Sequence, residues 1–392
     1  MSLIANRING RIVGQDESYR TRMLSIAAGM SDVIAMGRGD PDFHTPAHIV
    51  EAAKAALDAN AHHYTGPTGL PALREAIAGD MAASYGLDYG AQEIVVTAGV
   101  QESIMLAMLG LIGAGDEVLL TSPRFTTYDT AVRLCGGVPV PVPTFERHDF
   151  ALDAGEIEKR ITDRTRMFVL VTPNNPTGAV TPPEVIEQIA ELAVRHDLVV
   201  ISDEIYARMI YAPNTHLSIA TLPGMRERTV TLNGFSKTYA MTGWRVGYLA
   251  APDDFVAPMT EPRHTLSINT CTISQHAALA ALNGPQEPIE AMLAEYRARR
   301  DWLMPALDEA GFSYGHPGGA FYIYVNVSST GMAAPDFCER LLRETGVMVF
   351  PGALFGDESD DYIRVSYLQP LPRIMEAMDR IAAFARTARN AA

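Results

Sequence analysis

The chain has 392 residues, more than one ordinary hydrophobic core organises and suited to one large and one smaller domain. Hydrophobic residues make up 47% and charged residues 20%, the proportions of a soluble globular protein. A formal net charge of −15 argues against nucleic acid or an anionic membrane as the main partner; a few local arginines still suit a small anion.

In chain order, the opening MSLIANRING lacks the apolar core of a signal peptide. EAAKAALDA around Lys54 reads as an exposed helix face. From about residue 90 to 250, short β-branched runs alternate with helical patterns. EIVVT (93–97) precedes a helix over 101–112, and EVLLT (117–121) precedes one over 127–134. VPVPV follows, then RMFVLVT (166–172), LVVIS (198–202), TVTLN (229–233) and RVGYLAA (245–251). RMFVLVT and LVVIS are each expected to lead into a helix. Seven such runs between helices predict a mainly parallel sheet covered on both faces. Thr181-Pro182-Pro183-Glu184 reads as a capping box opening the helix after residue 180. The apolar run at 104–114 is well short of the ~20 residues a membrane helix needs.

GPQEP near residue 285 marks a break. Beyond it the pattern predicts a long charged helix (289–310), a strand (320–327) and a helix (335–345). Strands near 347–350 and 362–367 and a final amphipathic helix (372–386) follow. This reads as a second α/β unit. The expected division between a large domain and this smaller unit falls at that break, after residue 285. The three cysteines (Cys135, Cys271, Cys338) are scattered and odd in number, which fits a reducing cytoplasm rather than a disulfide framework. No CxxC pair suggests a structural zinc site. The adjacent His62 and His63 are read as a solvated pair, because neighbouring side chains rarely converge on a metal. No GxxxxGK[ST] exists, so a P-loop is excluded.

Only three lysines occur against 28 arginines. Lys54 and Lys159 fall in charged helical stretches. Lys237 does not: it lies in GFSKTYAMTGWR, between a strand and a glycine-containing loop. Residues 236–248, SKTYAMTGWRVGY, closely resemble the cofactor-lysine signature of the class I/II aminotransferases, the aspartate aminotransferase superfamily of fold type I. Asn174-Asn175-Pro176-Thr177-Gly178, then Ser202-Asp203-Glu204-Ile205-Tyr206, then Tyr362-Ile363-Arg364-Val365-Ser366 match in the family's order. Gly39-Asp40-Pro41-Asp42-Phe43 matches near the start. Four motifs in order, over about residue 30 to the C-terminus, carry far more weight than a lone NPTG.

The resemblance implies pyridoxal 5′-phosphate as cofactor and a fold type I architecture: a large domain (46–285) on a mainly parallel seven-stranded sheet and a smaller α/β domain in which 1–45 pack with 286–392. It implies a Schiff base on Lys237, whose freed amine then carries the proton at the substrate Cα. Asp203 would face the pyridine nitrogen and keep it protonated. Tyr206 and Asn175 would donate to the phenolic oxygen, and Glu204 is structural. Gly99-Val100-Gln101, Ser236 and Arg245 would hold the phosphate, and Phe125 would stack on the ring. Tyr64 would reach the phosphate of a neighbouring subunit, making the active unit a homodimer with shared sites. Gly39, Asn175 and Arg364 would bind substrate, Arg364 gripping the α-carboxylate with its planar fork. One departure is Gly234, where many relatives carry a serine, so a phosphate contact is expected to be missing or replaced by water.

Reversible transamination between an L-amino acid, aspartate or aromatic first, and a 2-oxo acid is the leading expectation. A carbon–sulfur β-lyase on the same fold is the alternative, although such lyases usually vary the NNPTG, SDEIY and MTGWR motifs kept here. A non-catalytic cofactor-binding module, such as a regulator's effector domain, would need a DNA-binding segment, and no helix-turn-helix pattern or basic patch is visible. The substrate stays open in sequence. A distal carboxylate needs a second cation, for which Arg38, Arg124 and Arg263 are candidates.

Overall fold

The β-branched runs form one seven-stranded sheet. In spatial order its strands are Ile94–Thr97, Gly247–Ala250, Thr229–Gly234, Val199–Asp203, Thr165–Val171, Glu117–Ser122 and Val138–Pro143. Every neighbouring pair is parallel except those made by Gly247–Ala250, which runs antiparallel to both neighbours. Helices cover both faces, so inner strands such as Gly247–Ala250 are buried along their whole length and read as unbroken apolar runs. Val138–Pro143 lies at an edge. There its alternating prolines remove ladder donors without breaking a central strand. The computed structural model describes residue 7, residues 19–357 and residues 359–391. Among these, no helix is long and apolar enough to cross a membrane. Most of MSLIANRING, and residues 8–18 of the segment expected to join the small domain, lie outside the described residues.

On one face, helix Val100–Leu111 buries Ile104, Ala107 and Met108 against Val118, Val169 and Leu232 of the strands. On the other, helix Pro183–Arg195 sets Ile186, Ile189 and Leu192 against Phe168, Leu170 and Val200. Two local expectations are corrected. Thr181 does not cap that helix: the N-cap is Pro182, extended at φ −62°, ψ 148°, with no side-chain cap. A residue that precedes proline is kept out of the helical region, so the helix can only begin at Pro183, and Thr181 instead donates its N–H to Thr172. LVVIS is not followed by an α-helix either. From Glu204 to Arg228 the chain makes turns and two short 3₁₀ segments, with Pro213 and Pro223-Gly224 interrupting any longer run.

The chain beyond residue 286 forms a second, smaller sheet. This antiparallel sheet runs Phe350–Pro351, Tyr362–Ser366, Tyr322–Asn326, Ser313–Tyr314. Helices Glu287–Glu309, Ala334–Thr345 and Leu371–Ala391 pack on it through Leu303, Phe337, Leu341 and Ile381. Met23, Ile34 and Met36 join the same core, and Ile34–Ala35 pairs in parallel with Val347–Met348. That core also takes in Tyr206 and Met209 from the large sheet's side, and the crevice between the two sheets is lined from both.

Candidate active site

Four loops leave the carboxyl ends of the large sheet's strands and converge on this crevice, the edge where open parallel sheets bind ligands. Asp203 is the last residue of its strand, Gly234 ends the strand before Lys237, and Thr97 ends the strand before Gly99. Asn174–Gly178 follows Thr165–Val171. The cavity they enclose is about 800 Å³. Gly39, Val100, Gln101, Phe125, Asn175, Asp203, Tyr206, Ser236, Lys237, Arg245 and Arg364 all line it. The residues singled out in sequence are thus brought to one place, with two qualifications. Gly99 sits just behind Val100. Tyr64 does not line the cavity and is 80% exposed.

Lys237 Nζ donates to the Gly39 carbonyl at 2.5 Å. Burial pushes its ammonium down to about 8; Asp40 opposes that shift, and Arg364 and Arg245 add to it. The other two lysines are exposed and paired, Lys54 with Glu51 and Lys159 with Glu156. Asp203 is buried and accepts from Tyr128 Oη at 2.7 Å and from the Ile205 N–H at 3.2 Å. Burial nevertheless raises its carboxyl to about 6, the Tyr128 hydrogen bond only partly offsetting it. Tyr128 carries no motif signal. Its role shows only once helix Thr127–Cys135 lies against the sheet.

Arg364 is buried. Nη1 donates to Asn175 Oδ1 at 2.8 Å and Nη2 to the Gly37 carbonyl at 2.6 Å. The guanidinium carbon lies 4.4 Å from both the Tyr322 and Phe355 ring centres, and Nε is buried without a hydrogen-bond partner among the described residues. Tyr206 Oη is 3.2 Å from Tyr322 Oη. Glu204 is held away from the cavity by Ser202, Ser218 and His216.

The turn before helix Val100–Leu111 depends on Gly99, whose φ is +80°. A Cβ there would sit 2.7 Å from Arg245 Nη2. Arg245 is itself left-handed at φ +53° and donates to the Ala98 and Thr242 carbonyls. Gly234 has its own reason: a Cβ would come 2.9 Å from Gly247 Cα on the next strand, so a serine would require the two strands to part.

The three candidates for a distal cation separate cleanly. Arg124 is turned into the protein, with Nε and Nη2 on the two oxygens of Asp129 at 2.7 and 2.6 Å. Arg263 is fully buried on Ser267 and Thr270 and pairs with Glu102. Only Arg38 of the three lines the cavity, and it is exposed at the mouth. Arg20, which no motif flags, lines the same cavity, its guanidinium 5.9 Å from the Phe350 ring centre.

The family model for aminotransferase class I and II matches residues 31–381. The chain is 42% identical to an aspartate aminotransferase of Pyrococcus abyssi, over 92% of this chain and 93% of that one. It is also 42% identical to aromatic-amino-acid aminotransferase 2 of Thermococcus litoralis, over 95% and 97%. Among solved structures, an aromatic aminotransferase from Pyrococcus horikoshii superposes with a TM-score of 0.89 at 41% identity, covering 93% of this chain and 99% of that one. A Thermus thermophilus aspartate aminotransferase with maleate gives 0.91 at 35% identity, covering 96% and 99%. With the lysine, the buried aspartate and the buried arginine gathered on one crevice, this chain belongs to the class I and II aminotransferases, which work with pyridoxal 5′-phosphate.

Proposed function

We propose that this aminotransferase uses L-aspartate as amino donor and a 2-oxo acid as acceptor, with Lys237, Asp203 and Tyr206 as its catalytic residues. One observation carries the substrate: the cavity has a buried cation, Arg364, and an exposed one at its mouth, Arg38. That spacing of roles suits a molecule with two carboxylates. The Pyrococcus abyssi relative's name and the maleate, a dicarboxylate, bound by the Thermus thermophilus enzyme support the same reading.

The donor set fits pyridoxal phosphate. A buried carboxylate already held by Tyr128 waits for a cation, and Asp203 would supply it to the ring nitrogen. The 12-residue helix Val100–Leu111 offers its first N–H groups, at Val100 and Gln101, for the phosphate, with the Ser236 hydroxyl and the Arg245 guanidinium beside them; Gly99 shapes this turn, its own N–H donating to the Thr97 carbonyl at 2.8 Å. Phe125 would stack on the ring. When bound, the cofactor supplies a carbonyl that takes up the amino group and a ring that draws electrons from Cα.

The side chains then divide the work. Lys237 Nζ, brought to about 8 by burial, holds and moves the proton at Cα, since an amine tuned toward neutral pH serves as both base and acid. Arg364 orients the α-carboxylate, its Nε and forked Nη groups donating to a planar anion, with Gly39 beside it. Asn175 spends its oxygen on Arg364, leaving its NH₂ to donate alongside Tyr206. Tyr64, exposed and off this cavity, serves a second copy in a homodimer with shared sites. The large domain spans 46–285, the small one 1–45 and 286–392, and the setting is cytoplasmic.

Aromatic amino acids are the second reading. Phe350 and Tyr322 on the cavity wall and the equally similar Thermococcus litoralis relative favour it. Titration of the purified holoprotein with single L-amino acids, followed by absorbance, tests both. Stoichiometric conversion by aspartate, reversed by 2-oxoglutarate, is expected. Conversion by tyrosine and not by aspartate overturns the dicarboxylate reading. Arg38→Leu should raise KM for aspartate about tenfold, the value of one exposed charge-assisted contact, and leave KM for alanine unchanged; equal effects on both would remove Arg38 from that role.

A further inference from the structure

Tyr322 lies where three parts of the site meet. It is buried on the strand Tyr322–Asn326 of the smaller sheet. In that antiparallel pair Tyr322 faces Ser366 and Tyr324 faces Arg364, so Tyr322 and Arg364 are diagonal neighbours on one face. The guanidinium carbon rests 4.4 Å from the Tyr322 ring centre. Its hydroxyl is 3.2 Å from that of Tyr206. The same hydroxyl is packed against Gly39 so closely that any Cβ there would collide with it, and the Gly39 carbonyl accepts Lys237 Nζ.

We propose that Tyr322 is a positioning residue that acts through Tyr206, donating its hydroxyl proton to Tyr206 Oη so that the Tyr206 proton stays aimed at the cofactor. The inference rests on the assignment of Tyr206 made above. Each phenol has one hydrogen. Either hydroxyl can donate across the 3.2 Å contact, but if Tyr206 donated to Tyr322 it would have nothing left for the cofactor's phenolic oxygen. The working arrangement therefore makes Tyr322 the donor. A donated hydrogen bond polarises the acceptor hydroxyl and strengthens its own outgoing bond, the more so in a dry site. The ring does a second, separable job by lying against Arg364.

The sign of the effect follows. A strong donor from Tyr206 draws charge from the phenolic oxygen and weakens its hold on the proton carried at the Lys237 nitrogen. Loss of the Tyr322 hydroxyl weakens that donor, so the proton is held to higher pH. The other groups facing Lys237 are Asp40, Arg364, Arg245 and Asp203, and none is altered by Tyr322→Phe.

The test is Tyr322→Phe in the holoenzyme, alone and with Tyr206→Phe, read by the pH midpoint of the bound cofactor's absorbance and by kinetics. Tyr322→Phe should raise the midpoint by about half a pH unit, the scale of one weakened neutral hydrogen bond. It should lower kcat several-fold and leave KM for the amino acid within twofold, because the ring beside Arg364 remains. In the Tyr206→Phe background it should add no further shift. Tyr322→Leu, which removes the ring too, should raise KM. An unchanged midpoint in Tyr322→Phe, or an equal shift in both backgrounds, overturns the proposal while leaving Tyr206 in place. A midpoint unmoved by Tyr206→Phe overturns both assignments.

Discussion

Arg364→Leu gives the sharpest test of how substrate is gripped. In the free protein the guanidinium spends Nη1 on Asn175 Oδ1 (2.8 Å) and Nη2 on the Gly37 carbonyl (2.6 Å), and it lies between two aromatic rings at 4.4 Å. The stacking and the two hydrogen bonds hold the fork in place before any ligand arrives, so little ordering entropy is spent on binding. Leucine fills much of the volume but leaves a bound carboxylate buried without its cation. Truncating one partner of a buried, hydrogen-bonded charge pair costs on the order of 2–5 kcal/mol, or about 30-fold to several-thousand-fold in affinity. The α-carboxylate does not change during reaction, so most of this loss should fall in KM. It should also fall alike on aspartate, tyrosine, alanine and their 2-oxo acids, because all share the group. Initial rates across that panel, with thermal melting as a check on folding, measure it. An unchanged KM, or a rise confined to aspartate, would refute the reasoning; the second outcome would place Arg364 at the distal carboxylate.

Further outcomes are expected at the cofactor's contacts. Lys237→Ala should give no covalent adduct after borohydride treatment of the cofactor-supplied protein, and an adduct elsewhere would refute the assignment. In cofactor-free protein, burial lowers the Lys237 amine to about 8, so capture of added pyridoxal phosphate should accelerate as pH rises through about 8 and level off above it. A midpoint near the ordinary lysine value would show that the amine is solvated. Asp203→Asn keeps the shape but removes the charge opposite the ring nitrogen. By analogy with other preorganised charge-stabilising groups, kcat should fall on the order of 10²- to 10³-fold, and an unchanged kcat would assign Asp203 to turn structure alone.

The sheet strands were legible because strands covered on both faces carry near-continuous apolar runs, and IVV within EIVVT, MFVLV within RMFVLVT and LVVI within LVVIS are such runs. Lys237 was legible because lysine is so rare here that one outside a charged helix stands out, and the motifs around it are local in sequence. Helix starts were less so. The Thr181 capping pattern lost to the steric demand of Pro183, and the segment after LVVIS was broken by prolines that a strand–helix alternation ignores. Helix Asp253–Ser267 runs through Pro258 and Pro262, which residue preference alone would forbid.

Contacts between distant segments were beyond the sequence for a simple reason: side chains meet by packing, and packing leaves no local pattern. Tyr128 reaches Asp203 across 75 positions, and Tyr322 reaches Tyr206 across 116. Arg38, Arg124 and Arg263 look equivalent as residues, yet two are consumed by internal partners and one lines the cavity mouth. Residues concentrated in short motifs, namely Lys237, Asp203 and the arginine proposed for the α-carboxylate, were picked out by the sequence. Which cations line the cavity, and which hydroxyl lies behind that of Tyr206, was decided only by the packing of distant segments around the crevice.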